Sequence, residues 1–385
     1  MSQRPYVGGQ AVIEGVMMRG PRSLAVAVRR PDGEIVLRDA AWQSIWERLK
    51  FLRWPFFRGS VVLIESLVNG IGALNFSAEQ ASMELVPANA NADANADADA
   101  DAGQPDPARG HAESGHESSS STLANGSRGH DLDRARQTDE QPAMSKWALY
   151  LTVAIALGFA IALFKVIPHL LTLGLGWLTG TGLNVDSVLF HAIDGVLKVT
   201  IFLLYVWAIG LLPDIKRVFM YHGAEHMTVH CYEHGLELTV ENVRQFSPRH
   251  ARCGTAFLVV VILLSILVFS LAFVWLPRLA ENAVLNQALL IGLKLPLLLP
   301  IMGLAYEYQR FTAKRADHAW ARAIAWPGLA VQALTTKKPT DDQLEVAIAS
   351  MRQALWREKV GPEAPSPAGE SGLIRVTDYR QVGAA

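Results

Sequence analysis

A helix crosses a bilayer with about 20 mostly apolar residues, and four runs of this chain have that length and character: residues 147–167, 188–212, 256–276 and 284–304. No other feature restricts the choice of fold as strongly. The sequence is therefore read as an α-helical integral membrane protein of about four spans. The second run carries His191, Asp194 and Lys198. Asp194 and Lys198 stand one helical turn apart and can pair on one face. Such groups either turn to the bundle interior or a wet cavity, or sit in the headgroup layer of a tilted helix. The apolar, glycine-rich stretch 169–180 is too short to cross and is expected to be interfacial or re-entrant.

Lysine and arginine set the orientation. Residues 1–58 hold ten of them, the 213–255 connection holds Lys216, Arg217, Arg244, Arg249 and Arg252, and Arg310, Lys314, Arg315 and Arg322 follow the fourth run. Residues 168–187 hold none. All basic stretches fall on one side of a four-span chain, which puts both termini and the 213–255 segment in the cytosol. The N-terminus has no apolar core of a signal peptide, so the first span is expected to direct insertion. A net charge of −1 argues against nucleic acid as a partner. The two cysteines, Cys231 and Cys253, both fall in the 213–255 segment and read as free thiols or metal ligands.

The soluble parts divide by composition. Residues 1–80 combine a small β element, with two β-favouring runs around Pro31-Asp32-Gly33, and an aromatic, glycine-rich helix over 42–75 expected to lie along the membrane, with a fifth span as the alternative. Residues 81–146 form an acidic linker with almost no apolar side chains, expected to be disordered, and its histidines are given no role. Spans one and two occupy 147–212, and spans three and four 256–306. In the 307–385 segment, Thr340 and Gln343 form a capping box for a helix to about Glu358, and the tail from Gly361 is expected to be loose.

The 213–255 segment carries the chemistry. In YHGAEHMTVHCYEHG, His222, His226, His230 and His234 recur every fourth residue. Read in another frame, they make two copies of H-x-x-E-H, with Glu225 and Glu233 at the fourth position. The segment follows Pro213 and is closed by Gly235, so it predicts a cytosolic histidine-rich helix. Residues four apart share a helix face, and a pair of histidines so placed can hold one divalent ion, zinc first and iron second. His222 and His230 are about 12 Å apart along a helix and cannot share an ion. The first pair is favoured because the second copy runs into the helix end. Glu225 is the candidate general base. His230, His250, Cys253 and Glu307 are candidates to complete the ligand set, with Glu14 and Glu65 more distant. The competing readings are a polar structural network and a headgroup-binding surface. In the first block, glycines 8, 9, 15 and 20 permit close backbone approach, which allows this segment to fold back over the histidine helix; a bulged strand with ordinary turns explains them equally. Arg19 has the chemistry to orient an anionic group.

The blocks GGQAVIEGVMMRGP, LIESL, LPDIKRVFMYHGAEHMTVHCYEHG, RHARCGTAF and LTTKKPTDDQLEVAI resemble the YqhQ family of bacterial membrane proteins. That family is of unknown function and is described as metal-dependent. The resemblance covers nearly the whole chain outside the linker. The H-x-x-E-H element is also similar to the inverzincin metallopeptidases, whose third ligand is a downstream glutamate; on that likeness the ligand is Glu307. The leading expectation is a membrane-embedded hydrolase acting at the cytosolic face on a membrane protein segment or a lipid. The alternatives are a lipid di-iron oxidase, for which the histidines are too few, and a non-enzymatic transporter or partner-binding scaffold.

Overall fold

The computed structural model describes residues 4–45, 54–83, 146–181, 187–250, 252–274, 276, 279–315, 318–368 and 372–383. The chain divides into two compact units, Met1–Leu85 with Leu163–Ala385, and Val86–Ala162. The described part of the second unit is the apolar helix α2 (Lys146–Ile161) and the residue after it. The acidic linker lies outside the described residues.

The first unit is built on a five-stranded antiparallel meander, with strands ordered as in the chain: β1 (Gly8–Val12), β2 (Gly15–Arg19), β3 (Ser23–Arg29), β4 (Ile35–Ala41) and β5 (Ile374–Val376). The Pro31-Asp32-Gly33 signal makes the β3–β4 turn, and Gly33 supplies the positive φ of 91° that the turn needs. At the β1–β2 turn Glu14 holds a positive φ of 50° without being glycine. Its carbonyl accepts from Arg29 N–H at 2.9 Å and its carboxylate pairs with Arg217, so the surrounding contacts enforce that backbone. The short strand β5 comes from the tail that composition marked as loose. Tyr379 and Val382 beyond it are buried in the core.

Strand residues alternate between the two faces of a sheet, and here both faces are covered. Val16, Met18, Ala25, Ala27, Ile35 and Leu37 pack on helices α5 (Pro213–His234) and α10 (Asp341–Val360), through Tyr221, Ala224, Met227, Leu344, Ile348 and Met351. Val12, Met17, Val26, Val28 and Val36 face the other way, onto Ala73 and Phe76 of α1 (Pro55–Ala81). Thr340 and Gln343 form the expected capping box at the start of α10. Arg357 of α10 and Asp39 of β4 form an ion pair buried at both ends.

Among the described residues, four helices are long and apolar enough to cross a membrane: Arg58–Ala81 within α1, Ala154–Thr179, Val188–Ile209 (α4) and Gly254–Ala272 within α7 (Gly254–Val274). Two details differ from the sequence reading. The stretch 169–180 is no separate piece: one π turn, Ala162–Val166, leads into α3 (Ile167–Thr179), and the apolar window runs through both. The run at 284–304 lies in α8 (Ala283–Ala313), which is not one of the four among the described residues, whereas α1 is. In α4, Asp194 and Lys198 form the pair that their spacing allows. Helix α9 (Ala319–Thr335) leads back towards α10.

Candidate metal centre

Helix α5 starts with a proline in its first turn and ends at Gly235 in the left-handed conformation, φ 76°. Three of its four histidines fall into two groups, each completed from outside the helix. His222 and His226 meet Cys253, with one potential ligand atom from each lying within 4.8 Å of the others. His230 and Glu233 meet His250 under the same limit.

In the first group both imidazoles are oriented by backbone carbonyls. His222 Nδ1 lies 2.9 Å from the Thr335 carbonyl, and His226 Nδ1 lies 2.6 Å from that of Pro248. A carbonyl only accepts, so Nδ1 carries the proton in both rings and Nε2 is left for a cation. This outer-layer arrangement is the one that metal-binding histidines use. His222 Nε2 lies 3.1 Å from Cys253 Sγ. Glu225 Oε2 lies 3.3 Å from His226 Nε2. Tetrahedral zinc with bonds of about 2.0–2.3 Å separates its ligands by roughly 3.3–3.8 Å; the two imidazoles and the thiol, within 4.8 Å of one another, need only small side-chain shifts to reach that spacing and would leave a fourth position. Gln309 Nε2 donates to the Cys253 carbonyl at 2.8 Å and fixes the backbone there.

Glu225 and His226 are both buried. Burial opposes charge on His226, but the Glu225 carboxylate, Cys253 and the Pro248 carbonyl outweigh it and raise the imidazole to about 9. Burial also opposes the Cys253 thiolate, and His222 with His226 overcomes it, holding the thiol well below its ordinary value. Without a cation a proton on His226 balances the Cys253 thiolate, and a metal ion entering would displace that proton. Gly9 of β1 rests on Glu225: a Cβ there would stand 2.6 Å from Glu225 Cγ.

The second group is satisfied internally. His230 Nε2 lies 2.9 Å from the Arg249 carbonyl. His250 Nδ1 accepts from Arg252 N–H at 3.2 Å, so its Nε2 carries the proton towards Glu233, 3.3 Å away. The Arg252 guanidinium pairs with the same carboxylate. Burial, with the neighbouring imidazoles, lowers His230 and His250 to about 4 each, so both are neutral at pH 7.

A family model described as "Protein of unknown function (DUF1385)" matches residues 54–357. The chain belongs to this family. It is also 29% identical over 367 residues to "Uncharacterized protein YqhQ" of Bacillus subtilis (strain 168), covering 94% of this chain and 96% of that protein. No solved structure matches it. The part matched by the DUF1385 model contains the whole first histidine group, and β1 lies upstream of it.

Of the residues that the sequence singled out, the structure thus brings His222, His226, Cys253 and Glu225 together and groups His230 with His250. Glu307 joins neither group, because its carboxylate is bidentate to Arg58. Glu14 is engaged by Arg217, and Glu65 accepts from Ser44 Oγ at 2.6 Å and Ile45 N–H at 2.7 Å. The carbonyls of Thr335 and Pro248 have no sequence signal, since any residue supplies a carbonyl. The first group opens into a cavity of about 1170 Å³, whose walls include Tyr6, Gly9, Arg19, Trp42, Glu65 and Tyr306.

Proposed function

We propose that this protein is a membrane-embedded, metal-dependent hydrolase working at the cytosolic face on a membrane protein segment or a lipid. The observation that carries the reading is the first histidine group: two imidazoles with Nδ1 tied to carbonyls, a cysteine sulfur within ligand range, and a buried carboxylate beside them.

Topology supports a membrane-proximal site. The sheet, α5 and α10 share one core, so they lie on one side of any bilayer, and each intervening stretch crosses an even number of times. The C-terminal half of α1 is docked on the sheet through Ala73 and Phe76, and Gln80 accepts from the buried Arg30. An α1 held in this way does not cross. The remaining apolar segments then pair as the 154–179 stretch with α4, and α7 with α8, which keeps the basic stretches and both termini on the cytosolic side.

The residues assign the roles. His222, His226 and Cys253 would hold a divalent ion, zinc first and iron second. When bound, it supplies a Lewis acid that makes water acidic enough to lose a proton near neutral pH. The Glu225 carboxylate takes that proton as the water oxygen bonds to the carbonyl or phosphoryl centre. The bond to the leaving oxygen or nitrogen then breaks, and Glu225 returns the proton to it. Gly9 packs against Glu225 and limits its swing.

The test is Glu225→Gln in the purified full chain, with metal content measured beside hydrolysis of extracted lipids and membrane-protein peptides. Turnover is expected to fall by about 10²–10⁴ while one metal per chain is retained, the usual weight of a general base. Loss of the metal would make Glu225 a ligand instead. Absence of metal from the unmodified chain would remove the hydrolase reading. A transport reading rests on the Asp194–Lys198 pair within α4, and it predicts that the histidines of α5 tolerate substitution.

A further inference from the structure

We propose that the cavity beside the metal group binds an anionic phospholipid with a hydroxyl-bearing headgroup, its phosphate held by Arg19 and its hydroxyl donating to Glu65. This deepens the hydrolase reading and rests on it for the chemistry, though not for the binding.

Two residues of the cavity wall carry a buried polar atom that lacks a partner among the described residues. Arg19 Nη1 and Glu65 Oε2 are both buried and both without a hydrogen bond. They are therefore not bonded to each other, although the Glu65 carboxylate acts electrostatically on Arg19. Buried donors and acceptors are nearly always satisfied, so a missing partner offers an acceptor to one and a donor to the other. A phosphate beside a hydroxyl does both. Arg19 is also oriented, with its Cζ 4.6 Å from the centroid of the Trp42 ring. Burial lowers its pKa and Glu65 opposes that, so the guanidinium stays charged. Two other arginines on the wall are engaged, Arg58 by Glu307 and Arg252 by Glu233, and Arg310 lines the cavity as well.

Arg19 stands at the open edge of the sheet. It is opposite Gly8 in the β1–β2 register, one residue from Gly9, but on the face that carries α1, whereas Gly9 rests on Glu225 from the face that carries α5. A Cβ at Gly8 would meet nothing within 4 Å, so this edge of the sheet is open. A lipid is favoured over a peptide by the opposite wall. Leu67 and Ile71 of α1 and Leu258 of α7 line the cavity while 62%, 51% and 45% exposed. An apolar wall that continues onto the outer surface of helices long enough to meet a bilayer suits acyl chains. It offers a peptide backbone no donors.

The test is titration of the full-length protein in a nonionic detergent with dioctanoyl phosphatidylglycerol, followed by calorimetry, with zinc measured in parallel. Saturable binding is expected, at least tenfold weaker in Arg19→Gln and partly restored in Arg19→Lys, with unchanged zinc. Leu67→Glu changes only an exposed side chain, so it keeps the fold and is expected to weaken binding as well. Equal binding by Arg19→Gln would overturn the proposal. So would equal affinity for dioctanoyl phosphatidylcholine, which lacks the hydroxyl, or for dioctanoylglycerol, which lacks the phosphate. Competition by inorganic phosphate at the same concentration would make this a small-anion site, and stronger competition by a peptide would make it a peptide site; either overturns the lipid. Lipid binding without zinc would refute the hydrolase reading alone, and zinc without lipid binding would refute this proposal alone.

Discussion

His222 with His226 and His230 with His234 repeat one motif on one helix, yet only the first copy is chemically available. Its two rings spend Nδ1 on carbonyls and turn Nε2 to a sulfur and a carboxylate. In the second, His230 reaches the Arg249 carbonyl, His250 is bonded through both nitrogens, and Arg252 neutralises Glu233. His234 bonds back to the His230 carbonyl at 2.8 Å and joins neither group. Spacing alone therefore nominates ligands, and the partners off the helix decide which can serve.

The strongest way to break this contrast is to remove each group in turn. His222→Ala with His226→Ala is expected to abolish bound metal, whereas His230→Ala with His250→Ala keeps about one ion per chain, read by elemental mass spectrometry. Equal loss in both would join the two groups into one site. The contrast also predicts a conversion. Arg252→Met removes the cation that competes for Glu233, so a second and weaker equivalent of metal is expected on zinc titration; an unchanged stoichiometry would mean that the hydrogen bonds of His250, not Arg252, close that group.

Two arginine–carboxylate pairs then calibrate stability. Arg357→Met leaves Asp39 buried without its partner, and thermal unfolding should show a loss of about 3–5 kcal/mol. The half-exposed Arg252–Glu233 pair is screened by solvent, so Glu233→Gln should cost less than about 1 kcal/mol. A large loss from Glu233→Gln would reveal that the second group is a structural keystone of the fold.

How much of this was legible follows from what periodicity encodes. The recurrence of histidine every fourth residue gives a helix face, and Pro213, Gly235 and the Thr340 capping box give its ends and those of α10. Apolar runs mark α4 and α7 to within a few residues. Periodicity says nothing of what lies opposite a face. His222 meets a carbonyl 113 residues away and a sulfur 31 away, and both contacts depend on how α7 and α9 return to α5. Glu307, attractive as a distant carboxylate, is taken by Arg58 because α1 crosses α8 closely at Gly59, where a side chain would meet Tyr306. The strand β5 spans three residues, too few for any alternation to register.

That small strand has a consequence in time. The sheet is closed by Ile374–Val376 pairing with β4, and one of its faces is covered by α10. Strands β1–β4 are made before α10 and β5, so they wait with apolar faces bare until residues 341–376 have emerged. A chain that stopped short of residue 374 would leave β4 as an open edge, a template for pairing with another chain.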